Sequence, residues 1–285
     1  MNRKLTDNQK IEICEKYKNK NFNCAELGRE YKVSKESINY ILRVRGITIL
    51  NNRSKLNRKY TLNENYFDKI DTEEKSYFLG LLYADGYNHE KNSCISLQLQ
   101  DRDKKILEKF NIEINSNRPL SIIRNSVKNP MWKDAYKLTI NSKHMSQRLS
   151  EIGCFQAKSL TLKFPSHDII PDNLINHFLR GYMDGDGCIY YKLKIGKRNG
   201  KCFRTKISLV STNDFCQSTK LIIEQKLSIN CHVQNKSKNN ITKDFVITGD
   251  RNSVIFLNWI YKDSTTYLNR KHKSYEKLKS LINFL

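Results

Sequence analysis

Residues 77–87 read YFLGLLYADGY, and residues 177–191 read HFLRGYMDGDGCIYY. Each is an apolar run that stops at an acid followed by glycine, Asp85–Gly86 in the first and Asp186–Gly187 in the second. The pattern predicts two helices that end on aspartates, where the helix dipole is negative and an acid is least welcome. Gly80 and Ala84 stand four apart in one run, as do Gly181 and Gly185 in the other. Small residues at that spacing share a helix face and let two backbones approach closely. If the helices pack on each other about a pseudo-twofold axis, Asp85 and Asp186 converge. Two carboxylates at two negative helix ends repel unless a cation lies between them, and oxygen ligands suit Mg²⁺.

The sequence around these runs is also duplicated. After the first, SCISLQLQ alternates Ile95, Leu97 and Leu99 with Ser96, Gln98 and Gln100, DKKILEKF reads as a helix, LSIIRNSV and AYKLTI as a hairpin, and MSQRLSEIG as a closing helix. After the second, CIYYKLKI turns through GKRNG into CFRTKISLV. TKLIIEQKL is then a helix, CHVQNK and KDFVITG a hairpin, and SVIFLNWIYK the closing helix. Helical and alternating periods in this order predict an α+β, pseudo-twofold molecule with two antiparallel sheets.

The two nonapeptides, FLGLLYADG at 78–86 and LRGYMDGDG at 179–187, resemble the LAGLIDADG homing endonucleases of the single-chain, two-motif kind. That resemblance covers roughly residues 60–285. It implies the duplicated αββαββα endonuclease fold with saddle-like sheets, and a monomer that cuts both strands of double-stranded DNA at a long target, leaving short 3′ overhangs. It further implies that Asp85 and Asp186 bind Mg²⁺ or Mn²⁺ with help from the backbones of Ala84 and Gly185. The family also places a lysine after each closing helix, which here points to Lys158 and Lys271, with Arg270 and Lys273 as neighbours able to substitute. At the motif's sixth letter the copies differ, Tyr83 against Asp184. The ends of the second strands offer Asp101 and either Thr212 or Asn213 to orient water. For a single motif the competing reading is an ordinary helix C-terminal turn before Gly86 or Gly187.

Base reading is expected from the sheet faces. CIYYKLKI would bury Ile189, Tyr191, Leu193 and Ile195 and expose Tyr190, Lys192 and Lys194. Its partner strand adds Arg204, Lys206 and Ser208, and the first copy Ser96, Gln98 and Gln100. Glutamine pairs with adenine and Lys or Arg with guanine in the major groove.

Upstream, residues 1–50 carry three short helical patterns. In the first, Ile11, Cys14 and Tyr17 share a face. Asn23 caps a second helix with Ala25, Leu27 and Tyr31, and Ser34 a third with Ile38, Ile41 and Leu42 inward. AELGREYKVSKESINYIL resembles a helix-turn-helix of the resolvase and transposase type. Its third helix would present Lys35, Glu36, Asn39, Tyr40 and Arg43 to the major groove. Residues 51–70 read as a basic linker whose Arg53 can follow phosphates. The repeats then occupy 71–165 and 166–285.

Lys and Arg number 51 against 29 Asp and Glu, a net charge of +22 that calls for a polyanionic partner. No apolar run reaches the ~18 residues of a membrane span, and the first residues lack a signal-peptide core, so no membrane association or secretion is expected. The eight cysteines form no CxxC pair and read as reduced side chains in a reducing, nucleoid-type compartment or an organelle with an AT-rich genome. Two other readings fit the same scaffold: a transcription regulator, and an RNA maturase that would take intron RNA as a second partner.

Overall fold

The computed structural model describes residues 5–18, 22–47, 49, 59–195, 201–236 and 241–283. The chain divides into two compact units, Met1–Lys59 and Tyr60–Leu285.

The first unit holds helices α1 (Asp7–Lys18), α2 (Cys24–Glu30) and α3 (Lys35–Val44) around Ile13, Cys14, Cys24, Leu27, Tyr31, Ile38, Ile41 and Leu42. Asn23 caps α2 in a capping box with Glu26, and Ser34 caps α3 through the Ser37 amide. The helices turn inward as expected, with two exceptions. Ile11 is exposed, because Ile13 and Cys14 carry the buried face of α1. Ala25 is exposed, because Cys24 and Leu27 fill that role in α2. Gly28 lets the turn before α3 close in: a Cβ there would lie 2.9 Å from the Val33 carbonyl oxygen.

In the second unit the element order repeats. Helix α4 (Glu73–Asp85) leads into β1 (Gly86–His89), β2 (Cys94–Gln100), α5 (Lys104–Glu113), β3 (Ser121–Ile123), β4 (Ala135–Asn141) and α6 (Lys143–Glu151). Helix α7 (Ile175–Asp186) leads into β5 (Gly187–Ile195), β6 (Lys201–Ser211), α8 (Asn213–Leu227), β7 (His232–Asn235), β8 (Lys243–Thr248) and α9 (Asp250–Tyr261). A last helix, α10 (Asn269–Asn283), follows. The antiparallel sheets have the same topology, β1-β2-β4-β3 and β5-β6-β8-β7, so the fold is α+β and duplicated. One core runs through both repeats. Tyr66, Phe67 and Ile70 belong to it, so the end of the 51–70 segment is core rather than linker. Residues 50–58, including Arg53, lie outside the described residues, as do residues 196–200 and the side chains of residues 194, 195 and 201–203.

Two strand positions depart from simple alternation. Ser96 is buried although it faces away from the core. It sits on a central strand between Tyr87 and Thr139, whose larger side chains flank it. Leu193 is exposed although it shares the inward phase of Ile189. β6 pairs with β8 only between Lys206 and Ser211, whereas β5 and β6 continue together to Ile195 and Lys201. The hairpin therefore overhangs the four-stranded sheet at Leu193.

Candidate metal and nucleic-acid site

Helices α4 and α7 meet backbone to backbone. A Cβ on Gly80 would lie 2.0 Å from the Phe178 carbonyl oxygen, and one on Gly181 2.0 Å from that of Tyr77. The two contacts are reciprocal, as a pseudo-twofold axis requires. Around them Tyr77, Phe78, Leu81, Phe178 and Tyr182 are buried. At the C-terminal ends a Cβ on Gly185 would lie 2.9 Å from Asp85 Oδ2, which brings the end of α7 against the Asp85 carboxylate.

Neither Gly86 nor Gly187 has the positive φ of an ordinary helix-ending glycine; their φ values are −75° and −90°. Glycine serves close approach instead, because a Cβ would lie 2.5 Å from the Leu82 carbonyl oxygen at Gly86 and 2.5 Å from that of Met183 at Gly187. Each helix thus runs straight into a strand, carrying its terminal acid to the start of a sheet.

Both acids keep an outer side open to solvent while the packed helix ends crowd the inner side. That desolvation, and then the Asp186 charge, push the Asp85 carboxyl up to about 6; Lys158, Arg270 and Lys271 pull the other way. Asp186 is likewise raised by desolvation, offset by Lys158, Lys236 and Lys271. Neither helix has a basic residue in its last turn, so compensating charge must arrive from other segments.

It arrives symmetrically. Lys158, in the turn after α6, is buried and donates from Nζ to the Gly86 carbonyl. Lys271, at the start of α10, is buried and donates from Nζ to the Gly187 carbonyl. Of the three neighbours in the second copy, Lys271 matches Lys158. Arg270 donates to Asp103 Oδ2 at 3.0 Å and reaches the Asp184 carbonyl at 3.4 Å, and Lys273 is exposed. Burial pulls the Lys271 ammonium below its ordinary range.

The differing sixth letters do parallel work. Tyr83 donates its hydroxyl to the Ile152 carbonyl, just after α6. Asp184 accepts from the Leu268 amide at 2.7 Å, just before α10, and from the Tyr77 hydroxyl at 2.8 Å. Each ties its motif helix to the segment that delivers its own lysine. Asp184 is wholly buried, which pushes its carboxyl up to about 6. A second buried charge, Arg180, was not among the expected site residues; it binds Glu73 at 2.6 Å and the Thr266 and Ile260 carbonyls at 2.8 Å. It locks α7 to α4, to the end of α9 and to the chain between α9 and α10. The arginine inside an otherwise apolar motif was the available signal.

Among the water-orienting candidates, Thr212 is buried and committed: it caps α8 through the Phe215 amide and donates to the Leu162 carbonyl. Asp101 and Asn213 are exposed. On the sheet faces Gln98, Gln100, Tyr190, Lys192 and Arg204 are exposed, with Lys206 and Ser208 half-buried. Tyr190 stands opposite Lys206 and Lys192 opposite Arg204, giving a dense cationic ribbon. The register adds Tyr87, His89, Lys137 and Thr139 to the same face of the first sheet. On α3, Glu36, Tyr40 and Arg43 are exposed, while Lys35 and Asn39 are half-buried.

The oxygen donors that the helix junction brings together are the Asp85 and Asp186 carboxylates. Among the described residues no three His, Cys, Asp or Glu side chains cluster as a metal cage. A cation here would take its remaining ligands from water or phosphate, the mixture Mg²⁺ accepts and Zn²⁺ sites seldom use.

No family model matches the chain, and no curated protein does. Among solved structures it is similar to the LAGLIDADG homing endonuclease I-LtrWI bound to target DNA, at 14% identity and a TM-score of 0.49 over 78% of this chain and 91% of that one. It is similar to the LAGLIDADG meganuclease I-AabMI bound to uncleaved DNA, at 10% identity and 0.49 over 73% and 90%. The LAGLIDADG homing endonuclease I-GzeII in complex with its DNA target gives 15% and 0.46 over 72% and 88%.

Proposed function

We propose that the chain is a site-specific DNA endonuclease of the LAGLIDADG type. One observation carries this reading: two acid-ended helices are driven together by reciprocal glycine contacts, and each has a buried lysine on the carbonyl that follows its acid. A protein with no use for that charge would gain stability by replacing either acid.

Asp85 and Asp186, with the carbonyls of Ala84 and Gly185, would hold Mg²⁺ or Mn²⁺. Bound there, the cation lowers the pKa of water and offsets charge on the phosphate. The chain's own groups do the rest. Lys158 and Lys271 place a positive charge beside each acid, where the scissile phosphate gains negative charge. Water adds to phosphorus, the bond to the 3′ oxygen breaks, and that oxygen leaves as a hydroxyl. One such centre per strand gives a double-strand break with a short 3′ overhang. The exposed Gln98, Gln100, Tyr190, Lys192 and Arg204, with Lys206 and Ser208, suit base and phosphate contacts along a double-stranded target.

Incubation with a randomised duplex library and Mg²⁺, followed by end mapping, tests the reading. Paired breaks on opposite strands at a preferred sequence are expected. Binding without Mg²⁺-dependent breaks would favour a transcription regulator.

The first unit is proposed to extend recognition through Lys35, Asn39, Tyr40 and Arg43 on α3. Deleting residues 1–59 is expected to weaken DNA binding and flatten its salt dependence, with cleavage at saturating protein retained. Unchanged affinity in a salt titration would refute that role.

A further inference from the structure

The connection between β3 and β4 holds an apolar tip in water. Val127, Met131 and Trp132 are 79%, 84% and 56% exposed. The loop is nevertheless braced: Asn125 Nδ2 donates to the Lys133 carbonyl at 3.0 Å, the Ser126 amide to Asp134 Oδ1 at 2.9 Å, and the Met131 amide to Asn129 Oδ1 at 2.9 Å. An exposed apolar group on a fixed support points to a partner.

The register says where that partner lies. β2 runs from Cys94, opposite His89, to Leu97, opposite Gly86, and on to Gln100, opposite Ala135. The loop therefore leaves the first sheet at the end that starts beside Asp85. A cleft of about 430 Å³ opens there, lined by Gln100, Asp101, Arg102, Trp132, Lys133 and Asp134 among others. It combines an indole face, a carboxamide from the exposed sheet face, and cations. Arg124 and Lys128 add exposed positive charge around the tip. The lining also carries Asp101 and Asp134, the latter already accepting from the Ser126 amide, so with Arg124 and Lys128 the cations outnumber the acids. A nucleotide uses both features, base against ring and phosphate against charge. The matching connection in the second repeat, residues 236–242, reads KSKNNIT and has no aromatic residue.

Resting on the DNA-binding reading above, we infer that this cleft takes a single nucleobase displaced from the bound duplex near the cleavage centre. Its ring stacks on Trp132 and its edge meets the Gln100 amide. Because the matching sequence in the second repeat has no aromatic residue, the site is assigned to one half of the target.

The chain has two tryptophans, and a full-length Trp259→Phe protein leaves Trp132 as the sole indole emitter. In EDTA it is titrated with a duplex of arbitrary sequence, fully paired or carrying a two-nucleotide central bubble. The bubble duplex is expected to quench Trp132 and to bind about 10-fold more tightly, within the range of base–aromatic stacking. Trp132→Ala, in a background that keeps Trp259, should lose that preference in an anisotropy assay on labelled DNA while holding the paired duplex as before. Equal binding of both probes with unquenched Trp132 overturns this site and leaves DNA binding standing, as does a bubble preference that survives Trp132→Ala. Failure to bind either probe overturns both readings. Tighter binding of single-stranded RNA than of the bubble duplex would move the assignment from DNA to RNA.

Discussion

Asp85→Asn and Asp186→Asn should each lower cleavage of at least one strand by orders of magnitude while leaving DNA binding intact. Asparagine keeps the shape of the side chain but removes the charge that would hold a divalent cation. The proposed binding surface is on the sheet faces, so affinity in a Ca²⁺ or EDTA assay should not fall. Stability should move in the opposite direction from activity. Folding raises the Asp85 carboxyl to about 6 from an unfolded value of about 3.9. A raised carboxyl means that the folded state binds the proton more tightly, so the metal-free protein loses stability as pH rises from about 4 through about 6. Above that window Asp85→Asn removes the penalty. In EDTA at neutral pH its Tm should equal or exceed that of the parent, and near pH 4 the difference should vanish. Added Mg²⁺ should raise the parent Tm and leave the double variant unmoved. Cutting that persists in the double variant would place the chemistry elsewhere.

How much of this was legible in the sequence follows from the range of each interaction. The paired motifs, the capping residues Asn23 and Ser34, and the alternation of Ile95, Leu97 and Leu99 are local, and the structure agrees with them. Choosing Lys271 over Arg270 was not local. It depends on where α10 begins, because a step of one residue turns a helical side chain by about 100°, and residues 262–273 are too rich in cations to mark the register. Helix α10 itself shows only a sparse apolar face, with Tyr275 and Leu278 buried among lysines. Ser96 and Leu193 depart from simple alternation because their exposure is set by neighbouring strands. The shared role of Tyr83 and Asp184 was invisible for a related reason. A phenol that donates to a carbonyl and a carboxylate that accepts from an amide look unrelated until both are seen anchoring a lysine-bearing segment. The packing of the two motif helices could be read from their small residues, but the ties from each sixth letter to its lysine-bearing segment could not.

Gly80→Ala or Gly181→Ala should be among the most damaging single substitutions in the second unit, although each adds one methyl group. Helix propensity alone would favour alanine by about 1 kcal/mol. The geometry overrules it. Each new Cβ would lie 2.0 Å from a backbone carbonyl oxygen of the facing helix, and a carbonyl cannot swing aside as a side-chain tip can. The helices must separate by more than an ångström along a line buried on both sides by Tyr77, Phe78, Phe178 and Tyr182. Ordinary overpacking costs about 1–3 kcal/mol, and this contact should reach or exceed the top of that range. Separation would also draw Asp85 from Asp186 and strain the Lys158 and Lys271 contacts, so any folded fraction should cut poorly. Gly185→Ala is the internal comparison. Its Cβ would meet the Ala84 side chain at 2.4 Å and Asp85 Oδ2 at 2.9 Å, with no backbone atom among these contacts. Adding Ala84→Gly makes room for the new methyl group, so the double variant should recover much of the stability lost by Gly185→Ala. Gly80→Ala has no such side-chain remedy, because its obstacle is the Phe178 carbonyl. Urea denaturation of these variants decides the point. A Gly80→Ala protein as stable as the parent would mean that the two helices do not touch through their backbones, and the convergence of the two acids would lose its physical basis.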